Sequence, residues 1–272
     1  MRVAFQGEPG AYSEQAAIEH FGPSVETVPC QIFDIVFEMV QGLNCDCGVV
    51  PIENSVAGSV HQNYDLLLAH KLSIVGEIYL RVHHCLIVQP GVRRDEIRRV
   101  ISHPQGLAQC SRYLRELSGV RIEAASNTAA SVKLIRDTGD RTTAAIASRQ
   151  AAEIYGMEIL EEGIEDNPEN YTRFLLVARD PVVPEGDAKT SIVFMLKNEP
   201  GALFKALSVF ALRDIDLTKI ESRPVVGQRW QYSFYVDFAG AIQDERVKRA
   251  IDHLGEYATM LRVLGSYPRY KE

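Results

Sequence analysis

Hydrophobic positions in the first 180 residues fall into short apolar runs separated by helical spacings. Residues 2–6 read as a strand. Residues 13–21 read as a helix, with Ser13 as N-cap and Glu14 favourable in its first turn. Ile32, Phe33, Val36, Met39 and Val40 recur at helical intervals, residues 47–51 form a short apolar strand, and residues 60–69 are helical. Residues 72–88 hold strand-like segments, long enough for a strand or pair of strands to run between two lobes. Three further apolar strands, at 100–102, 121–125 and 144–147, each precede a helical pattern. This alternation predicts parallel α/β layers, in which ligands sit beyond the carboxyl ends of the strands.

The texture changes near Arg179. Residues 180–189 contain Pro181, Pro184 and Gly186 with little to bury, and read as a linker. The order then runs strand 190–196, helix 201–212, strand 216–224, strand 230–238, helix 243–254 and strand 260–265. That is βαββαβ, the ferredoxin-like pattern, with Val226-Gly227-Gln228 as the expected hairpin turn between the central strands.

Composition narrows the reading. A chain of 272 residues has room for two domains, and a net charge of -7 argues against a nucleic-acid partner. No apolar run reaches the ~20 residues needed to span a bilayer, so no membrane partner is expected. The first seven residues lack the apolar stretch of a signal peptide, which predicts a cytoplasmic protein. Five cysteines argue against a disulfide framework. Cys45-Asp46-Cys47 is too tightly spaced for a zinc motif, and His83-His84-Cys85 alternates faces on a strand. Both read as structural filler rather than metal ligands.

Candidate chemistry gathers at the strand-to-helix junctions. Gly7-Glu8-Pro9-Gly10-Ala11-Tyr12-Ser13 can bring backbone N–H groups to an anion. In the run from Pro51 to Ser59, Glu53 offers an acid or base, while Asn54, Ser55 and Ser59 can hold a carboxylate. His103-Pro104-Gln105 reads equally as a helix start, and Ser126-Asn127-Thr128-Ala129-Ala130 equally as an N-cap. Asn170-Tyr171-Thr172-Arg173-Phe174 precedes an apolar strand, and Arg173 suits bidentate carboxylate binding. Each junction alone has a structural explanation. Five at matching ends of α/β units point to a ligand site.

Taken in order, Gly7-x-x-Gly10-x-x-Ser13, Pro51-Ile52-Glu53-Asn54-Ser55, Ser102-His103-Pro104-Gln105, Asn127-Thr128-Ala129-Ala130 and Thr172-Arg173-Phe174 resemble the signature set of prephenate dehydratases. Gly201-Ala202-Leu203-Phe204 and Glu221-Ser222-Arg223-Pro224 resemble the two phenylalanine-binding motifs of the ACT regulatory domain fused to that enzyme. Gly106, where alanine is expected, and Asp216, where asparagine is common, depart from the pattern. The resemblance implies a two-lobed catalytic domain over 1–179, similar to a periplasmic binding protein. Lobe one would take 1–77 and 160–179, lobe two 78–159, and the ACT domain 190–272. It implies conversion of prephenate to phenylpyruvate, water and carbon dioxide without cofactor or metal, and feedback inhibition by L-phenylalanine. It places Thr172 nearest the leaving hydroxyl, with Arg173 binding carboxylate or bracing Thr172. Asn54, Ser55, Ser126, Asn127 and Thr128 would orient the substrate, with Glu53 or His103 as candidate acids. It places phenylalanine against Asn198, Gly201, Ala202, Leu203, Glu221 and Ser222. It also implies a dimer of dimers with paired ACT domains. Prephenate is expected over arogenate, its aminated counterpart, and catalysis over a purely sensing role, because a sensor has no evident need of the Thr172 hydroxyl.

Overall fold

The computed structural model describes residues 1–225, 227 and 230–270. In chain order the elements are β1 (Arg2–Gln6), α1 (Tyr12–Phe21), β2 (Glu26–Cys30), α2 (Phe33–Gln41), β3 (Cys47–Asn54), β4 (Gly58–Ser59), α3 (His61–Ala69), β5 (Ser73–Arg81) and β6 (Cys85–Val88). There follow β7 (Arg99–Ser102), α4 (Pro104–Gln109), α5 (Ser111–Glu116), β8 (Arg121–Ala124), α6 (Thr128–Thr138), β9 (Thr143–Ala147), α7 (Arg149–Tyr155), β10 (Glu158–Glu162) and β11 (Tyr171–Ala178). The rest is β12 (Ala188–Leu196), α8 (Ala202–Ala211), β13 (Leu217–Pro224), β14 (Tyr232–Ala239), α9 (Glu245–Tyr257) and β15 (Ala258–Pro268). Two compact units emerge, Met1–Val60 with Ile78–Phe174, and His61–Glu77 with Leu175–Glu272.

The first unit is built on two sheets. One has the order β2-β1-β3-β11-β5, with β1 parallel to both β2 and β3. The other has the order β10-β6-β9-β7-β8, with β7 parallel to β8 and β9, and β6 antiparallel to β9. Val3, Ala4 and Phe5 of β1 and all five residues of β9 are buried, which is what continuous apolar runs in central strands require. β2 and β10 were not expected. Both are edge strands, β2 carries Pro29, and β10 reads Glu-Ile-Leu-Glu-Glu, so neither shows an apolar run. Because β10 pairs with β6, the second lobe extends past residue 159, and β5 keeps residues 78–81 in the first sheet. Ser13 is not the N-cap of α1. The helix starts at Tyr12 after Ala11, and Glu14 reaches back to Gly10 N at 2.6 Å in place of a cap side chain.

The second unit is an antiparallel sheet ordered β13-β14-β12-β15 with α8 and α9 packed on it, the βαββαβ arrangement. Ile192, Phe194, Val236 and Phe238 meet Val209, Phe210, Val247 and Leu254 of the helices in its core. Residues one place off that face meet α3. Tyr235 Oη donates to Tyr64 O at 2.9 Å. Arg262 donates to the carbonyls of Leu68, His70 and Leu72 at 2.7–3.2 Å, which satisfies the end of α3. Gly265 lies so close to Ile74 O that a Cβ there would stand 2.1 Å from it. Residues 61–77 therefore group with the C-terminal unit, while residues 73–77 are at the same time part of β5 in the first sheet. The expected 226–228 turn lies outside the described residues apart from Gly227. Among the described residues no helix is long and apolar enough to cross a membrane.

Candidate active site

β3 ends at Asn54, and local folding fixes which way its amide points. Asn54 Oδ1 accepts the backbone N–H groups of Val56 at 3.1 Å and Ala57 at 2.8 Å. A backbone N–H can only donate, so the other end of the amide is the donor. Nδ2 faces Asn170 Oδ1 at 2.8 Å, Tyr171 O at 3.1 Å and Thr172 Oγ1 at 3.0 Å. The Thr172 hydroxyl thus accepts from Asn54 and keeps its own proton for a ligand.

The same polarity runs on through the site. Gln109 Nε2 donates to Asn54 Oδ1 at 3.3 Å, which turns Gln109 Oε1 toward His84 Nε2 at 2.9 Å. That nitrogen therefore carries a proton. His84 Nδ1 lies 3.0 Å from the Tyr12 hydroxyl, which also reaches His83 O at 2.5 Å. Burial pushes the His84 pKa down against the pull of the Gln109 bond and Glu165, so the ring is neutral near pH 7.

These groups surround a cavity of about 380 Å³ inside the first unit, within the usual range of small-molecule sites. Gln6, Gly7, Tyr12, Asn54 and Thr172 line it from the first sheet and its loops. His84, His103, Gln109, Ser126 and Thr128 line it from the second. Asn127, which also lines it, caps α6 by accepting from Ala130 N at 2.7 Å, and the other leading N–H groups of that helix have no partner within it. His103 accepts from Gln105 N at 3.2 Å and so caps α4, and burial lowers its pKa. Gly106 faces the cavity floor, where an alanine methyl would stand 3.0 Å from Ser102 Oγ, a physical reason for the departure noted in the sequence. No Asp, Glu, Lys or Arg side chain is among the lining residues.

Of the residues expected from sequence, Asn54, Ser126, Asn127, Thr128 and Thr172 come together here. Glu53, Ser55 and Arg173 do not line the cavity. Glu53 pairs in register with Ser59 and, one place from Asn54 on a strand, faces the other way. Arg173 stands in the same relation to Thr172 and is buried, which leaves bracing, not carboxylate contact. Ser55 Oγ donates to Glu169 O at 2.8 Å and accepts from Tyr171 N at 2.9 Å, so it aligns the strand that presents Thr172. Tyr12, His84 and Gln109 were missed. Helical spacing put Gln109 on the face of Gln105, and that was the available signal.

In the second unit, Gly201 has φ +80 and ends the loop from Asn198 into α8, whose first residues are Ala202 and Leu203. Glu221 and Ser222 lie on β13, with β14 between it and β12. Glu221 Oε1 is 3.1 Å from His61 Nε2 on α3, while Ser222 is exposed on the opposite face. The two cannot both face one ligand from a single strand.

The prephenate dehydratase family model matches residues 3–182, and the ACT domain model matches 190–256. The chain belongs to the prephenate dehydratase family. It is 50% identical to arogenate dehydratase/prephenate dehydratase 6, chloroplastic, of Arabidopsis thaliana, over 98% of this chain and 69% of that protein. It is 49% identical to the arogenate dehydratase 3, chloroplastic, of the same plant, over 98% and 67%. Among solved structures, prephenate dehydratase of Arthrobacter aurescens in complex with L-Phe matches with a TM-score of 0.91 at 33% identity, over 99% of this chain and 90% of that one. A protein described as a quorum quenching acylase, GqqA, matches with the same TM-score at 34% identity, over 99% and 98%. The family match makes this chain a dehydratase of the phenylalanine branch, an α/β catalytic part followed by an ACT domain. The expectation of a cytoplasmic protein is corrected by these plant relatives, which are chloroplastic.

Proposed function

We propose that the chain is an arogenate dehydratase, converting arogenate to phenylalanine, water and carbon dioxide and accepting prephenate less well. The neutral cavity lining carries this reading. Both substrates bring two carboxylates, but the ammonium of arogenate cancels one charge. With no lining cation to offset it, the extra net charge of prephenate is the costlier one to desolvate. The names of the plant relatives support the same choice, which reverses the preference for prephenate taken from sequence.

In the reaction the ring carboxylate leaves as carbon dioxide, and its bonding pair enters the ring. The ring hydroxyl departs with the C–O pair and takes up a proton to become water. Thr172, held by Asn54 as a donor, hydrogen-bonds the departing hydroxyl; its alcohol is too weak an acid to supply the proton outright. The leading N–H groups of α6, with the Ser126 and Thr128 hydroxyls, suit the side-chain carboxylate. The ACT domain binds phenylalanine at the 198–203 segment and feeds back on the rate. The L-Phe complex of the Arthrobacter aurescens relative supports that reading.

Steady-state kcat/KM on both substrates tests the substrate. Arogenate is expected to exceed prephenate by at least about 10-fold, a difference near 1.4 kcal/mol. Equal values, or a preference for prephenate, would overturn the choice. Calorimetry and rate measurements with phenylalanine test the regulation, and absence of binding would remove it.

A further inference from the structure

We propose that Gln6, at the carboxyl end of β1, determines whether the cavity takes an amino or a keto side chain, by accepting a hydrogen bond from the substrate ammonium through Oε1. The proposal rests on the reading of this cavity as the dehydratase site. An ammonium entering it needs an acceptor, and no lining residue is Asp or Glu. Neutral side-chain acceptors must serve, and most are already committed. Asn54 Oδ1 takes Val56 N, Ala57 N and Gln109 Nε2. Gln109 Oε1 faces His84 Nε2, Asn127 Oδ1 takes Ala130 N, and His103 Nδ1 takes Gln105 N. Thr172 Oγ1 takes Asn54 Nδ2 and is turned to donate.

Tyr12 Oη is engaged by His83 O and His84 Nδ1, and the remaining hydroxyls are poorly placed for a cation. Ser126 and Thr128 flank the start of α6, and Ser13 lies in the first turn of α1, where the helix dipole disfavours positive charge. Gln105 occupies the first turn of α4 and is exposed. Gln6 differs on each count. It ends a strand, and its Nε2 donates to the backbone carbonyl of Gln31 at 3.3 Å. A carbonyl can only accept, so the amide cannot flip, and Oε1 is the end left to meet a ligand. A keto side chain offers Oε1 no donor, whereas an ammonium offers three. The same residue therefore favours the amine and disfavours the ketone.

Gln6→Leu and Gln6→Glu, each assayed on arogenate and prephenate, decide the matter. Losing a hydrogen bond to a charged group is expected to lower kcat/KM for arogenate by roughly 10- to 100-fold in Gln6→Leu, and to lower the ratio of arogenate to prephenate by about 10-fold or more. The urea unfolding transition of the same sample reports that the variant is folded. In Gln6→Glu the ratio of arogenate to prephenate is expected to rise about 10-fold, since a carboxylate attracts the ammonium and repels the dianion. Equal losses on both substrates in Gln6→Leu, or an unchanged ratio in Gln6→Glu, would overturn the proposal. If Gln6→Leu does not fold, the Gln6→Glu ratio decides alone. The wild-type ratio separately tests the arogenate reading, and wild-type protein inert on both substrates would remove the dehydratase site itself.

Discussion

The cavity and the seam that holds α3 to the ACT sheet use opposite chemistry. The cavity is walled by amides, hydroxyls and neutral imidazoles, and backbone N–H groups at Val56 and Ala57 set the polarity of the whole network. The seam is charged. Arg223 Nη2 meets Asp65 Oδ2 at 2.7 Å, His61 meets Glu221, and Lys189 Nζ meets Glu77 Oε1 at 2.7 Å with both side chains almost wholly buried. A ligand brings its own charges into the cavity, so permanent charges there would commit it to one ligand. The seam has nothing to exchange, and charge serves it as a fastening. The same contrast predicts one region where substitutions change rate and another where they change stability.

Thr172→Ala is the sharpest test on the cavity side. Removing the hydroxyl held by Asn54 should lower kcat by about 10²–10³-fold, the usual worth of one hydrogen-bond donor to a developing charge, with the melting temperature almost unmoved. Thr172→Ser should keep more activity than Thr172→Ala. A Thr172→Ala enzyme with near wild-type kcat would show that the polarity set by Asn54 has no part in turnover.

On the seam side, Lys189→Ala leaves the buried Glu77 carboxylate without its ammonium and should cost about 3–5 kcal/mol in urea denaturation. The double substitution Lys189→Met with Glu77→Leu should recover most of that, because the pair contributes little beyond matched packing. A loss under about 1 kcal/mol in Lys189→Ala would mean the pair is solvated. Ending the chain at residue 180 removes the sheet against which 61–77 pack, so such a fragment should fail to show a cooperative unfolding transition. A stable, active 1–180 fragment would show that the catalytic part folds without that sheet.

Between these extremes lies the proposed effector region. Gly201 occupies a left-handed conformation that valine tolerates poorly, and Ser222 is exposed on β13. Gly201→Val and Ser222→Ala are expected to weaken phenylalanine binding by calorimetry about 10-fold, with uninhibited kcat near wild type. Glu221→Gln should change affinity by less than about 3-fold, because Glu221 faces α3 and a pair of this kind is worth under ~1 kcal/mol. Unchanged affinity in the first two variants would move the site elsewhere.

What was legible in the sequence follows the same division. Central strands announced themselves as apolar runs, and the βαββαβ order could be read from periodicity alone. Edge strands could not, because β2 and β10 expose polar side chains on a sheet margin. Thr172 and Asn54 stood out because each occupies a junction. Tyr12, His84 and Gln109 did not, since their importance lies in meeting one another across 72 and 25 residues of chain. Glu53 and Arg173 stand outside the cavity lining for a related reason. Motif spacing names a junction, but alternation along a strand decides which of two neighbours enters the cavity. The membership of residues 61–77 was illegible too, because Lys189–Glu77 and Arg262 with the end of α3 are pairings more than 100 residues apart in the chain.

The smallest effect expected concerns pH. Burial lowers the pKa of His84 and of His103 below the ordinary 6.5, and that of exposed-edge His20 likewise. Between the folded value and 6.5 the unfolded chain binds more protons than the folded one, so stability rises with pH across that window. The contribution is present in full above pH 6.5 and is lost as pH falls from 6.5 through the folded pKa values. Asp140, held at about 2 chiefly by the Thr143 hydroxyl, titrates in a separate window below 3.8. The urea midpoint should therefore fall modestly on acidifying from pH 7.5 to 5.5. His84→Gln, which removes one titrating ring while keeping an amide next to Gln109, should flatten that slope without abolishing it, since His103 and His20 remain. A midpoint that rises on acidification would contradict the lowered histidine pKa values from which this slope is argued.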